Sequence, residues 1–153
     1  MTKENVYREL IAQLSAQIRI LKSALSESEE NASGDESKSE GKYDTRAIEA
    51  SYLAQAQAEQ LALEEESLAR LQRFTPPGYT INDSIDLGAL VEVQQDNELC
   101  FYFLVPAGGG LVTDFLGCQV TVVTPESQMY QQLIHLRLGD TILEKKVTIM
   151  GLE

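Results

Sequence analysis

Between residues 6 and 25 the apolar positions fall at Val6, Leu10, Leu14, Ile18, Leu21 and Leu25, at spacings of four, four, four, three and four. This is the stripe of an amphipathic α-helix, and Ile11 and Ile20 are expected to widen it. The stripe stops in residues 26–40 (SESEENASGDESKSE), which are almost free of apolar side chains and include Gly34. A second helical pattern without Pro or Gly runs from about residue 43 to 74. Its expected seam is Ala47, Ala50, Ala54, Ala58, Leu61, Leu68 and Leu71, rich in small residues that let two helices approach closely. Helices of roughly 27–31 residues are about 40–46 Å long. Two such helices joined by a short polar segment can bury their stripes against each other, which predicts an antiparallel coiled-coil hairpin and a monomer. A coiled-coil dimer between two chains is the alternative.

Thr75-Pro76-Pro77-Gly78 ends the second helix, because proline cannot continue it and glycine permits the turn. Beyond it the apolar period changes to two. Residues 89–94 (ALVEVQ) and 99–105 (LCFYFLV) are expected as strands joined through Gln95-Asp96-Asn97-Glu98, and 119–123 (QVTVV) as a third strand. Residues 127–136 (SQMYQQLIHL) are expected as a short helix with Met129, Leu133 and Ile134 facing inward. Leu138-Gly139-Asp140 makes a turn, and 141–143 with 146–152 close the sheet. The predicted organisation is a helical hairpin over 1–74 with an acidic tip, a linker over 75–78, and a small antiparallel sheet with one short helix over 79–153, an α+β chain.

Composition narrows the function classes. The 153 residues carry 24 acids against 12 Lys and Arg, a formal charge of -12. Residues 1–74 hold 14 acids and 9 bases, and 75–153 hold 10 and 3, so neither half is a basic module. Phosphate contacts would work against this field, so nucleic acid is expected to be reached only through a protein partner. No apolar run is long enough to span a membrane, and the charged start (MTKENVYREL) lacks the core of a signal peptide, which predicts a cytoplasmic protein without membrane attachment. Cys100 and Cys118 form no Cys-x-x-Cys pair and are expected as small buried apolar residues rather than zinc ligands.

Three features invite chemical readings. Gly108-Gly109-Gly110 lacks the Lys-Ser/Thr of a phosphate-binding loop and is expected as a tight connection between strands. His135 is the sole histidine, without partners for a catalytic triad or a metal site. The acids of the polar break, Asp35, Glu36 and Glu40 with Asp44 beyond, fall at the predicted hairpin tip. Such acids form a solvated turn, or carboxylates that a rod can carry into another protein's cavity. Oxygen ligands of this kind suit Mg²⁺, which accepts one or two carboxylates and keeps its waters.

The sequence of helical hairpin, acidic tip, Pro-Gly hinge and small β domain resembles the bacterial Gre transcript-cleavage factors over nearly the whole chain. The local match is C-terminal: Thr124-Pro125-Glu126-Ser127-Gln128-Met129, then Gln132-Leu133-Ile134, then Leu138-Gly139-Asp140, and the closing run KVTIM over 146–150. At the tip, Gly34, Asp35 and Tyr43 find counterparts in the family's Gly-Asp-x-x-Glu-Asn-x-x-Tyr. Here the Asp-to-Tyr distance is one residue longer, and Lys38 stands three residues after Asp35. In the docking segment Gln128 stands where the family has proline.

The resemblance implies that residues 79–153 are FKBP-like in fold and that the chain is a transcription elongation factor docking on bacterial RNA polymerase. Thr124, Pro125, Ser127, Gln128 and Met129 would be the docking residues. It implies a tip that enters the secondary channel and lends Asp35, with Glu36 or Glu40, to a catalytic Mg²⁺ of the polymerase, Gly34 and Tyr43 supporting the turn. Asp35 and Glu40 would share that Mg²⁺ with the polymerase only, no cofactor being tightly held. The polymerase would hydrolyse the backtracked transcript, and the factor would be no enzyme by itself. A secondary-channel regulator without cleavage activity is the alternative, since Lys38 places a cation beside the acids. A coiled-coil adaptor and a peptidyl-prolyl isomerase using Tyr79, Phe101, Tyr102, Phe103, Phe115 or Tyr130 are the readings from other classes.

Overall fold

The computed structural model describes residues 2–33 and 41–153. Two long helices come first, α1 (Lys3–Ser33) and α2 (Gly41–Arg73). They are followed by strands β1 (Leu90–Gln95), β2 (Glu98–Leu104), β3 (Val112–Phe115) and β4 (Cys118–Val123). A short helix α3 (Gln128–Leu133) precedes β5 (Thr141–Ile142), a 3-10 turn (Leu143–Lys145) and β6 (Val147–Leu152). Contacts divide the chain into Met1–Gln13 with Ser67–Glu153, and Leu14–Glu66. The division therefore falls inside the helices rather than at 75–78, because the first turns of α1 and the last turn of α2 pack with the sheet.

In the larger unit the six strands form one sheet in the order β3-β4-β2-β1-β6-β5. Every pairing is antiparallel except β2 with β4, which is parallel. The sheet is mostly antiparallel, as expected from the sequence, and the exception arises because residues 105–111 carry the chain to an edge strand, β3, so that β4 returns beside β2. That edge strand was not expected, since four residues with a single polar alternation give little periodic signal. Two tight hairpins fix the register. Asp96 and Asn97 both take positive φ (52° and 67°), as do Leu116 and Gly117 (54° and 79°), the handedness that matches strand twist. Asn and Gly tolerate that region, whereas Leu116 occupies it at a steric cost of about 1 kcal/mol.

One face of the sheet carries Val91, Val93, Leu104, Val123, Val147 and Ile149, packed with Ile85 and with Tyr130 and Leu133 of α3. Leu133 is buried as expected, and Met129 and Ile134 pack at the margin of this core, while Tyr130 was not expected there. The helix is shorter than the span 127–136 because Ser127 caps it and His135 turns to φ 71°. On the opposite face Phe103 lies at 5.8 Å from the ring of Tyr7, which also meets Phe74 edge-on at 6.4 Å. The Tyr7 hydroxyl donates to the carbonyl of Leu71, joining the start of α1 to the end of α2. Because Tyr7 is near the start of α1 and Leu71 near the end of α2, the two helices run antiparallel, as the hairpin pattern predicts. Lys3 adds a second tie, donating to the Pro77 carbonyl at 2.6 Å and the Glu153 carbonyl at 2.8 Å, with Nζ 5.2 Å above the Tyr79 ring. Burial lowers its pKa to about 8, against a smaller upward pull from Glu153.

In the smaller unit, Leu14 and Ile18 of α1 are buried, with Leu21 and Leu25 partly so. Helix α1 continues through its polar end to Ser33 instead of stopping with the stripe, and Ser28 takes the next seam position, buried. Ile20 is 69% exposed, so it does not widen the stripe. On α2 the less exposed positions are Ala47, Ala50, Ala54, Gln57, Leu61 and Glu64, alternating by three and four. Gln57 thus holds the place expected for Ala58, which is exposed: a strict heptad step from Ala50 lands on a polar residue that an apolar search passes over. The Gln57 Oε1 atom is buried and has no hydrogen-bond partner among the described residues.

Two stability predictions follow from these contacts. Tyr7→Phe removes the shorter of the two hydrogen bonds to the Leu71 carbonyl, leaving that from the Phe74 amide at 3.3 Å, and is expected to cost about 1 kcal/mol, measured by urea unfolding. Burial pushes the Tyr7 pKa up to about 12, so the phenol stays neutral in the folded chain while the unfolded chain ionises from pH 10. Its stabilising contribution is whole below pH 10 and declines as pH rises to 12, so the stability gap between wild type and Tyr7→Phe narrows over that window. In the seam, Gln57→Leu removes a buried orphan acceptor and is expected to raise stability by about 1 kcal/mol in the same unfolding experiment; an unchanged or lower midpoint contradicts the assignment of Gln57 to the seam.

Candidate functional site

The segment 124–129 links β4 to α3, and its backbone is fixed by its own side chains. The Ser127 amide donates to the Thr124 carbonyl at 2.9 Å, closing a turn over Pro125 and Glu126. Ser127 is the N-cap of α3: its Oγ accepts from the Tyr130 amide at 3.0 Å, as serine does at helix starts. Gln131 Nε2 returns to the Pro125 carbonyl at 3.2 Å and secures the outer side of the turn. The result presents Pro125, Glu126 and Gln128 to solvent, with Thr124, Ser127 and Met129 half-buried beneath them.

The base of this turn is set by the glycine connection. Gly108 has φ 80°, and a Cβ there would come to 3.3 Å from Leu71 Cδ1, so glycine lets the loop close onto the end of α2. A Cβ on Gly109 would meet Thr124 Oγ1 at 3.2 Å. The three glycines are therefore a tight connection between β2 and β3, as expected, and their compactness seats Thr124. The Glu126 carboxyl is held below its ordinary range, first by the Thr124 hydroxyl, then by its own backbone amide, and more weakly by the Arg70 charge. An ionised, oriented carboxylate and an exposed proline on a capped turn make a rigid recognition surface, with no group poised for covalent chemistry.

The acids expected at the tip, Asp35, Glu36 and Glu40, with Gly34, lie outside the described residues. Tyr43 falls in the first turn of α2, and its side chain also lies outside them. The sites predicted for docking and for the tip therefore differ in what can be said of them: the first is built, the second is known by sequence alone. Among the described residues no group of three or more His, Cys, Asp or Glu could hold a metal ion.

Other candidates resolve simply. His135 is exposed, and its role is in the backbone, where its amide donates to the Ile85 carbonyl at 2.8 Å. Cys100 and Cys118 are free and half-buried rather than buried, because both lie near strand ends beside the two hairpin turns, where the sheet is thinly covered. Burial pushes the Cys100 thiol above its ordinary pKa, which opposes formation of the reactive thiolate. The aromatic residues that a proline pocket would need are divided between faces. Phe101 and Phe115 stack edge-on at 5.1 Å on one face, while Tyr79, Tyr102 and Tyr130 pack against the core on the other. The Tyr79 and Tyr102 hydroxyls are bonded to the Leu87 carbonyl and Gln95.

Comparison with known proteins finds no matching family model and no matching curated protein. Among solved structures, the chain is similar to GreA factor homolog 1 of Thermus thermophilus, with 17% identity over 94% of both chains and a TM-score of 0.37. No described helix is long and apolar enough to cross a membrane.

The geometry of the turn gives a direct test. Ser127→Ala removes the cap of α3 and is expected to lower stability by about 1 kcal/mol. Amide exchange at Tyr130 should accelerate in the same variant, while exchange in the β1–β2 hairpin stays as in wild type.

Proposed function

We propose that this chain is a transcription factor of the Gre type, which docks on bacterial RNA polymerase through the 124–129 turn and reaches into the secondary channel with the hairpin tip. The observation that carries the reading is the turn itself. The segment that resembles the Gre docking sequence, apart from Gln128, is an exposed, capped and internally hydrogen-bonded turn, the form a rigid docking element needs. The helices are in keeping with it: α1 and α2 have 31 and 33 residues, about 46–50 Å of helix, long enough to enter a deep channel. The domain following the linker would then be the FKBP-like docking module and the hairpin the inserted one.

In this reading Asp35 supplies one carboxylate to a polymerase-held Mg²⁺, and Glu36 or Glu40 supplies the second. When bound, such an ion would supply a polarised water for hydrolysis of the backtracked RNA by the polymerase. What this chain contributes is negative charge at a fixed reach, and it performs no chemistry alone. A second reading, occupation of the channel without cleavage, is favoured by Lys38. An ammonium group among the tip acids competes with the metal for their charge.

A transcript-cleavage assay on a backtracked polymerase complex separates the two. The Gre-type cleavage factor shortens the RNA in the presence of Mg²⁺, and Asp35→Ala lowers the rate by about 10–100-fold, the usual effect of disturbing a metal site. Lys38→Glu should raise it. A double substitution Pro125→Ala and Gln128→Ala should weaken polymerase binding without altering the fold. Binding without cleavage by any of these proteins selects the regulator; absence of both overturns the assignment to polymerase.

A further inference from the structure

On the sheet face opposite α3, a groove of about 360 Å³ opens between Ile81, Leu116 and the ends of β1 and β6. Its floor is the Phe101–Phe115 pair, both nearly buried. Three features of this groove are either exposed to solvent or without a side-chain partner among the described residues. Leu116 stands at φ 54° in the β3–β4 turn, where Asn or Gly would be unstrained, and its side chain is 70% exposed. Ile81, on another wall, is 61% exposed. Glu92 lies half-buried opposite Phe101 on one side and Gly151 on the other, and no described residue donates to its carboxylate. Gly151 is what makes room for it, since a Cβ there would come to 3.0 Å from Glu92 Oε2.

A strained exposed leucine, an exposed isoleucine and an unpaired carboxylate around an aromatic floor define complementary chemistry. The carboxylate asks for a cation, the floor and the two aliphatic walls for apolar side chains. Residues 75–153 carry 10 acids against 3 bases, so the surrounding field also favours a cationic ligand, although at Glu153, which lines the same groove, Lys3 already supplies a positive charge. We propose that this groove is a second docking surface, and that it receives a segment of a partner protein in which an Arg or Lys lies between apolar residues. The cation pairs with Glu92, and the flanking aliphatic or aromatic side chains seat on Phe101 and Phe115 between Leu116 and Ile81. The surface is separate in sequence from the 124–129 turn, and the proposal stands whether or not that turn binds polymerase.

The test uses the full chain and a fluorescein-labelled peptide, Gly-Ser-Leu-Arg-Phe-Leu-Ser-Gly, with the same peptide carrying Glu in place of Arg as control. Fluorescence anisotropy should show saturable binding of the Arg peptide and at least about tenfold weaker binding of the Glu peptide. Glu92→Gln should weaken the Arg peptide by about fivefold or more and so narrow its advantage over the Glu peptide. Leu116→Gly gives the sharper readout, because relief of the positive-φ strain should raise Tm while the loss of the leucine wall lowers affinity. Equal binding of both peptides, no saturable binding, or variants that bind as wild type overturn the proposal. Concentration-dependent dimerisation abolished by Leu116→Gly also overturns it, because the occupant is then a second copy of this chain.

Discussion

The larger unit depends on the burial of one side chain, Tyr7. Its ring meets Phe74, at the end of the helical region, and Phe103, at the centre of the sheet, while its hydroxyl satisfies the Leu71 carbonyl in the last turn of α2. Helix ends leave carbonyls without intrahelical partners, and a buried one is costly unless something donates to it. The Phe74 amide reaches this carbonyl only at 3.3 Å, and Tyr7 is positioned by α1 to be its second, shorter donor. A single residue thereby holds the two helix bases together and against β2, and Lys3 repeats the logic one turn earlier by tying Pro77 and Glu153. Leu71 then offers its side chain to the glycine connection at Gly108, whose neighbour Gly109 seats Thr124. The 124–129 turn is thus built on the end of α2 through a chain of close contacts.

Much of this was legible in the pattern of residues. The stripe from Val6 to Ile18 is buried as its spacing requires, and the change of period after the Pro-Gly segment marks the first strands closely. Ser127 before a short apolar run is a cap in the sequence and a cap in the structure. What escaped reading has physical causes. The parallel pairing of β2 with β4 depends on where a loop deposits β3, which no local periodicity encodes. The role of Tyr7 is tertiary: in sequence it is one residue beside the stripe. Gln57 was hidden because a seam is found by looking for apolar residues, and here the heptad carries a polar one.

The candidate site divides along the same line. The capped turn at 124–129, proposed here for docking, could be read from sequence because its residues carry the local chemistry of a cap and a turn. The groove around Glu92 could not, because its walls come from a loop, a hairpin turn and three strands that only the sheet register assembles. The tip acids are read from sequence, where Gly34, Asp35 and Tyr43 resemble the Gre pattern with one residue more between Asp35 and Tyr43, and Lys38 is a further departure. In the proposed reading docking is separate from the tip: an oriented turn would provide affinity, and charge delivered elsewhere would provide the effect.

The central claim, that the tip reaches the catalytic centre of RNA polymerase, is tested most directly by photocrosslinking. A benzophenone amino acid is placed at position 38 and the protein is irradiated in complex with bacterial polymerase. The account predicts crosslinks to the largest subunits at residues surrounding the catalytic Mg²⁺, lost when unlabelled protein is added in excess. Crosslinks confined to the outer surface of the polymerase, or to a second copy of this chain, would contradict it.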